Sequence, residues 1–254
     1  MLYICIPSYN EAPTVGVLLW RIRKVFQEYS REYEVLIYDD ASTDGTRESL
    51  EPYARVMPLT VLNGTKREGY ARAVEALLRS VSERTRYPRR DAAVLMQADF
   101  TDQPEHLPEL VKRFEGGADV VAAERVVGPL APEAVRKFAK LARFLPAVWP
   151  IRPFLTVPGV KDPFAGLRLL RITVVRDLLQ ERGGRAFADA AVCAVNVELT
   201  RAAVRFARRV ETVQLEPRWD LRPRASRVRP WPDALELVKR GWAARSQRTP
   251  TVAA

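Results

Sequence analysis

The chain predicts an α/β fold with a mostly parallel central sheet and helices on both faces. Three observations carry that expectation. Apolar runs of strand length alternate with stretches of helical spacing through the first half. Two of those runs end in acids: Val94-Leu95-Met96-Gln97-Ala98-Asp99, and Tyr33-Glu34-Val35-Leu36-Ile37-Tyr38 followed by Asp39 and Asp40. The 254 residues are 47% hydrophobic, core enough for one large domain or two small ones. In open α/β sheets ligands bind beyond the carboxyl ends of the strands, so acids placed there point to a metal or a polar ligand.

Each element follows from local pattern. Leu2 to Ile6 reads as the first strand. Pro13 to Tyr29 has helical spacing, with Val17, Leu18, Ile22 and Val25 on one face and Pro13 suited to the first turn. After the strand at 33–38, Ser42-Thr43-Asp44 offers an N-cap to a helix over 44–56. Strands at Leu59–Leu62, Ala92–Met96 and Asp119–Ala123 alternate with helices at 67–84 and Gln103–Glu115. Beyond Arg125 the pattern loosens to helices at 131–145, 172–181 and 187–206, strands at Gly166–Leu170 and Val210–Leu215, and a terminal helix at 233–244. Prolines 217, 223, 230 and 232 mark an extended basic stretch, and Gln247–Ala254 reads as a disordered tail.

Charge and composition exclude several classes. A net charge of +10 favours anionic partners, and much of the excess follows Arg168, in Arg218, Arg222, Arg224, Arg227 and Arg229. No RNA-recognition, zinc-finger or helix-turn-helix signature supports nucleic acid as the partner. Two cysteines make no disulfide framework, and Cys5 sits in an apolar run as a buried thiol. No secretory leader pattern opens the chain, so Asn63-Gly64-Thr65 reads as a turn. No run of about 18 apolar residues is present. The nearest, Leu141 to Val160, is interrupted by Arg143, Arg152 and prolines. A cytoplasmic protein, peripheral at the inner face of the membrane, is the expectation. GxGxxG is missing after the first strand and GxxxxGK[ST] is missing throughout, so a nucleotide would be held by other means.

Four motifs supply those means. Pro7-Ser8-Tyr9-Asn10-Glu11 closes the first strand, Asp39-Asp40-Ala41-Ser42-Thr43-Asp44-Gly45-Thr46 the second, and Gln97-Ala98-Asp99 the fourth; Asp162-Pro163-Phe164-Ala165-Gly166-Leu167-Arg168 lies further on. Together they resemble the family 2 glycosyltransferases of the GT-A fold: P-x-Y-N-E, D-D-G-S-x-D-G-T, D-x-D, and the D-x-x-S-G-F-R of the dolichol-phosphate mannose synthase branch. Arg222-Pro223-Arg224-Ala225-Ser226-Arg227 echoes that branch's late R…S-K. The resemblance covers about residues 2 to 229. It implies a nucleotide-sugar pocket formed by Pro7, Tyr9, Glu11, Asp39, Asp40, Gly69, Gln97, Ala98 and Asp99. It implies Mg²⁺ or Mn²⁺ on Asp99, with neutral oxygens from Gln97, which replaces the family's first Asp, and from Thr101. Asp99, Arg125, Arg168 and Arg222 become the catalytic candidates, the arginines as phosphate clamps. Simpler roles compete: Glu11 as a helix-start acid, Asp39 and Asp40 as turn residues, Asp99 or Asp102 as a cap on the helix at Gln103, each arginine as a solvated charge.

The lone histidine, His106, reads as a surface residue. A sugar hydroxyl needs a base to remove its proton, whereas a phosphate acceptor is already ionised. Transfer of a hexose, mannose or glucose, from a nucleoside-diphosphate sugar to polyprenyl phosphate with inversion is therefore the leading expectation. Transfer to a saccharide or small-molecule hydroxyl, with Asp162, Asp189 or Glu198 as base, is the alternative. A non-catalytic nucleotide-sugar-binding module is a third class. Residues 1–229 are expected to form the catalytic domain, split near 125 into donor and acceptor halves. Residues 230–254 would be a basic extension, and an anionic membrane or a membrane protein the partner.

Overall fold

The computed structural model describes residues 1–147, 151–183, 191–221 and 226–246. The donor half alternates as expected: β1 (Leu2–Ser8), α1 (Ala12–Glu28), β2 (Tyr33–Asp39), α2 (Thr46–Ala54), β3 (Leu59–Asn63), α3 (Tyr70–Arg84), β4 (Ala92–Leu95), α4 (Leu107–Glu115, after a 3₁₀ turn at Pro104–His106) and β5 (Val120–Arg125). The remainder holds α5 (Glu133–Phe144), α6 (Arg152–Leu155), β6 (Arg168–Arg171), α7 (Ile172–Arg182), α8 (Val192–Phe206), β7 (Val210–Leu215) and α9 (Pro230–Ser246). The expected tail, Gln247–Ala254, and the start of the helix expected from 187 lie outside the described residues.

The strands form one sheet in the order β3-β2-β1-β4-β6-β5-β7. All pairs are parallel except those of β6, which runs antiparallel to both β4 and β5. Apolar side chains alternate to the two faces, as strand geometry requires. Leu2, Ile4 and Ile6 join one core with Leu18, Ile22 and Leu110, while Tyr3, Cys5 and Leu95 join the other with Val74, Leu77 and Leu178. Helices thus cover both faces, and the carboxyl ends of β1, β2, β4 and β5 open on one edge.

The boundary expected at 229/230 falls inside a packed unit. Leu237 of α9 is fully buried with Phe138, Ile151, Phe154 and Val197 in a third core, so the basic extension is part of the body of the protein up to Ser246. Among the described residues no helix is long and apolar enough to cross a membrane.

Candidate active site

The site begins as a stapled pair of turns. Asn10, within the first motif, has φ +53°, and Ala41 follows the second strand with φ +57°. Main-chain donors of the first turn reach acceptors of the second: Asn10 N–H to Ser42 Oγ at 2.9 Å, Glu11 N–H to Thr46 Oγ1 at 2.9 Å and Ala12 N–H to Asp44 Oδ2 at 3.1 Å. Thr43 N–H returns the bond to Asn10 Oδ1 at 2.9 Å. Asp44 and Thr46 therefore satisfy the start of α1 as well as their own turn. The N-cap of α2 is Gly45 at φ +82°, and Asp44, one residue earlier, accepts from the Thr46 N–H at 3.1 Å through Oδ1. Ala41 stands where the family motif has glycine and carries the left-handed strain itself. The third non-glycine residue at positive φ among the described residues is Phe100, at +62°, just past β4. All three strained residues sit where strands open onto one cavity, a distribution typical of functional sites.

That cavity has a volume of about 860 Å³. Pro7, Tyr9, Glu11, Asp40, Gly69, Gln97, Ala98, Asp99, Thr101 and Arg125 all line it, so the structure brings ten of the thirteen candidate residues together. Asp40 is held by the Glu68 and Gly69 amides at 2.7 and 2.8 Å. Gly69, at φ +90°, makes that turn possible. Asp99 Oδ1 accepts from Thr101 N–H at 3.1 Å. The 3₁₀ turn after it takes no side-chain cap from Gln103, its N-cap residue, and Asp102 is engaged by the Gln97 N–H. The Gln97 side chain fills space left by Gly166: a Cβ there would approach its amide nitrogen to 2.5 Å. This contact joins the third motif to the fourth.

Two candidates depart from expectation, and a third lies outside the described residues. Asp39 is fully buried and does not line the cavity; it accepts from Ser42 N–H at 3.2 Å and faces Arg47 Nη2 at 3.4 Å. Arg168 is only 2% exposed and does not line the cavity. Its guanidinium donates to the carbonyls of Gly166 (3.3 Å) and Asn196 (2.8 Å), to Thr200 Oγ1 (2.5 Å), and to the Ala165 carbonyl. Burial pushes its pKa down, a sign of a desolvated structural charge. Arg222 lies outside the described residues.

Arg125 does reach the cavity, already paired. Its Nε and Nη2 donate to the two oxygens of Asp162 at 2.8 and 3.1 Å. Burial opposes the Arg125 charge, but Asp162 outweighs it and the pKa is raised. That fork also occupies Asp162, one of the alternative bases. Glu198 is bound to Arg182 at 2.8 Å and lies off the cavity, and Asp189 is outside the described residues. His106 is half-buried and off the cavity, with its pKa lowered by burial.

Sequence reading missed two contacts. The Arg67 guanidinium lies 4.1 Å from the centre of the Tyr9 ring, and that of Arg227 lies 5.8 Å from it. Arg227 also donates to the Tyr9 carbonyl at 2.8 Å and approaches Glu11 at 3.7 Å, closing the late basic motif over the first one. The only signal for this was an aromatic in one motif and a cation in another.

Asp102 was also underrated. Its Oδ2 accepts from Gln97 N–H at 2.9 Å, fixing the strand end that carries Asp99. Burial raises its pKa to about 7, opposed by the Gln97 amide and aided by Asp99. A folded pKa above the ordinary value means stability is greatest when the group stays protonated, below the unfolded pKa near 4, and is lost as pH rises toward 7. Asp102→Asn, which keeps an oxygen for Gln97, should flatten that decline. Thermal unfolding from pH 4 to 8 checks it; parallel pH profiles for the two proteins would place the Asp102 pKa near its ordinary value.

Comparison with known proteins agrees with this geometry. Residues 3–179 match the family described as Glycosyl transferase family 2. A dolichol-phosphate mannosyltransferase from Pyrococcus furiosus is 29% identical over 172 residues, 68% of this chain and 46% of that protein. An undecaprenyl-phosphate 4-deoxy-4-formamido-L-arabinose transferase from Proteus mirabilis is 30% identical over 122 residues, 48% of this chain and 36% of that one. The chain thus spans less than half the length of these relatives. Among solved structures, a mannosyltransferase from Pyrobaculum calidifontis in complex with GDP-Man and Mn²⁺ superposes with a TM-score of 0.63 at 24% identity, covering 98% of this chain and 65% of that chain. The glucosyl-3-phosphoglycerate synthase of Mycobacterium tuberculosis, solved with Mn²⁺, UDP and glucosyl-3-phosphoglycerate, gives 0.62 at 18% identity over 99% and 81%. With its strand-end motifs, its seven-stranded sheet and a family match over most of its length, the chain belongs to glycosyl transferase family 2 and has the GT-A fold.

Proposed function

We propose that the protein transfers a hexose from a nucleoside-diphosphate sugar to a polyprenyl phosphate with inversion at the anomeric carbon. The observation that carries this reading is the make-up of this cavity. At the ends of β2, β1 and β4 it presents Asp40, Tyr9 and Asp99 to a donor. At the end of β5, beyond β6 in the sheet, it presents Arg125, with Lys161 also on its wall. From α5 and its neighbours it presents Val135, Phe138, Ala142, Leu155 and Val192. Acids for a metal–nucleotide, cations for a phosphate and an apolar wall for a hydrocarbon fit one donor and one lipid-phosphate acceptor. The P. furiosus and P. mirabilis relatives are named for transfer to such lipid phosphates, which supports the same acceptor class here.

The donor set fits a divalent cation that arrives with the diphosphate. Asp99 supplies one charged oxygen, Gln97 and Thr101 can add neutral ones, and among the described residues no cluster of three or more acids, histidines or cysteines forms a cage. Sparse protein ligation completed by substrate phosphates suits Mg²⁺ or Mn²⁺. Such an ion neutralises charge on the departing diphosphate. The chain's own residues position the two substrates. Tyr9, with Arg67 and Arg227 about its ring, borders the nucleotide. Arg125, held by Asp162, orients the acceptor phosphate for attack in line with the departing diphosphate. No proton need be abstracted from an ionised phosphate, consistent with a cavity that no histidine lines.

A panel of GDP- and UDP-hexoses with Mn²⁺, offered short-chain polyprenyl phosphate, free polyprenol and soluble sugars, tests the proposal. Transfer is expected to the phosphate alone. Transfer to a neutral hydroxyl and never to the phosphate would overturn it and move attention to the carboxylates of the cavity.

A further inference from the structure

Helix α9 carries large apolar side chains that the fold leaves uncovered. Trp231 is 72% exposed, Leu235 55% and Trp242 59%. At about 100° per residue the spacing i, i+4, i+11 sets them close to one line along the helix. Single exposed apolar residues are ordinary on a protein surface; an aligned row with two tryptophans marks an interaction face. The helix cannot roll to hide them. Its other flank is fixed, with Leu237 fully buried and a Cβ on Gly241 reaching within 2.8 Å of Ile151.

We propose that α9, with the helix it packs on, α5, is a docking surface for an anionic lipid bilayer. Three features select a bilayer. Tryptophan, apolar in body with a polar N–H, favours the level of lipid headgroups. The neighbouring helix α5 exposes Arg136, Lys137, Lys140 and Arg143, with Glu133 its only acid, a charge balance complementary to acidic headgroups. The same two helices wall the cavity, through Asp233 of α9 and Val135, Phe138 and Arg143 of α5, so a membrane held against them meets the pocket assigned to the lipid acceptor. The surface rests on that acceptor reading only for this last point. Of the arginines that carry the late positive charge, Arg218 is engaged by both oxygens of Asp220 and Arg227 is turned onto Tyr9.

Flotation of the full chain with protein-free vesicles tests the surface. Vesicles of phosphatidylcholine mixed with phosphatidylglycerol should bind it, pure phosphatidylcholine more weakly. Trp231→Ser/Leu235→Ser/Trp242→Ser should lower binding about tenfold or more, with its nucleotide affinity and its circular dichroism unchanged. Brominated lipids provide a readout on chains with α9 intact: they should quench wild-type tryptophan emission and quench Trp231→Phe/Trp242→Phe much less. Equal binding by the triple variant, equal quenching, or binding to native membranes but not to protein-free vesicles would overturn the proposal, the last in favour of a protein partner. Transfer to a short-chain acceptor in solution, measured alongside, separates the two claims. Its survival with vesicle binding absent would refute the docking surface alone, and its absence with vesicle binding intact would refute the acceptor alone.

Discussion

Asp99→Ala should abolish metal-dependent binding of the nucleoside diphosphate and, with it, transfer. Among the metal candidates lining the cavity, Asp99 alone brings a charge; Gln97 and Thr101 bring neutral oxygens. Loss of partners that merely orient a ligand costs roughly 10–100-fold in metal affinity, so loss of the charged ligand itself should exceed that. Titration calorimetry with and without Mn²⁺ checks it, with circular dichroism alongside to show that the fold survives the loss of the bond from Thr101 N–H. Gln97→Asp should retain or strengthen Mn²⁺ affinity by adding a charged oxygen. An Asp99→Ala protein whose nucleotide affinity still rises with Mn²⁺ would remove Asp99 from the site. A clear loss of Mn²⁺ affinity in Gln97→Asp would place Gln97 away from the ion.

Asp99 was legible because a carboxylate ending an apolar run has no packing reason to be there. The same logic found Asp40 and, through helix and strand spacing, every strand of the donor half. It failed where chemistry depends on direction across space. The reversal of β6 leaves no mark in a four-residue run of arginine and leucine, since either direction buries the same side chains. The capping role of Asp44 was assigned to its own helix, whereas its second oxygen serves α1, 32 residues away. Asp39 and Asp40 are identical in type and adjacent in sequence. The strand's alternation sends them apart, Asp39 to Ser42 and Arg47, Asp40 to the Gly69 turn on the cavity wall. The α9 row was not readable: Pro230 and Pro232 placed Trp231 in an extended stretch, whereas the helix begins at Pro230 and its exposed flank is set by the Ile151 contact.

Arg168 is the sharpest case, and it sets the largest stability prediction. Motif position suggested a phosphate clamp. Yet Arg168 follows Gly166-Leu167 and precedes Leu169-Leu170, apolar surroundings that already favour a buried role. In the fold it ties the loop carrying Asp162 to α8: it holds the Ala165 and Gly166 carbonyls on one side and the Asn196 carbonyl and Thr200 hydroxyl on the other. Asn196 continues the tie, donating to the Phe164 carbonyl at 3.0 Å and accepting from Tyr70 at 2.9 Å. Arg168→Met removes the guanidinium and leaves buried oxygens without donors. Losses of this kind cost about 3–5 kcal/mol, which for a domain of this size lowers the unfolding midpoint on the order of 10 °C. Arg168→Lys should fall between, since an ammonium cannot span all four acceptors. Thermal unfolding with parallel acceptor kinetics decides the role. A structural tie predicts a lower midpoint with acceptor KM little changed in the fraction that remains folded. An unchanged midpoint with a greatly raised acceptor KM would return Arg168 to the acceptor site.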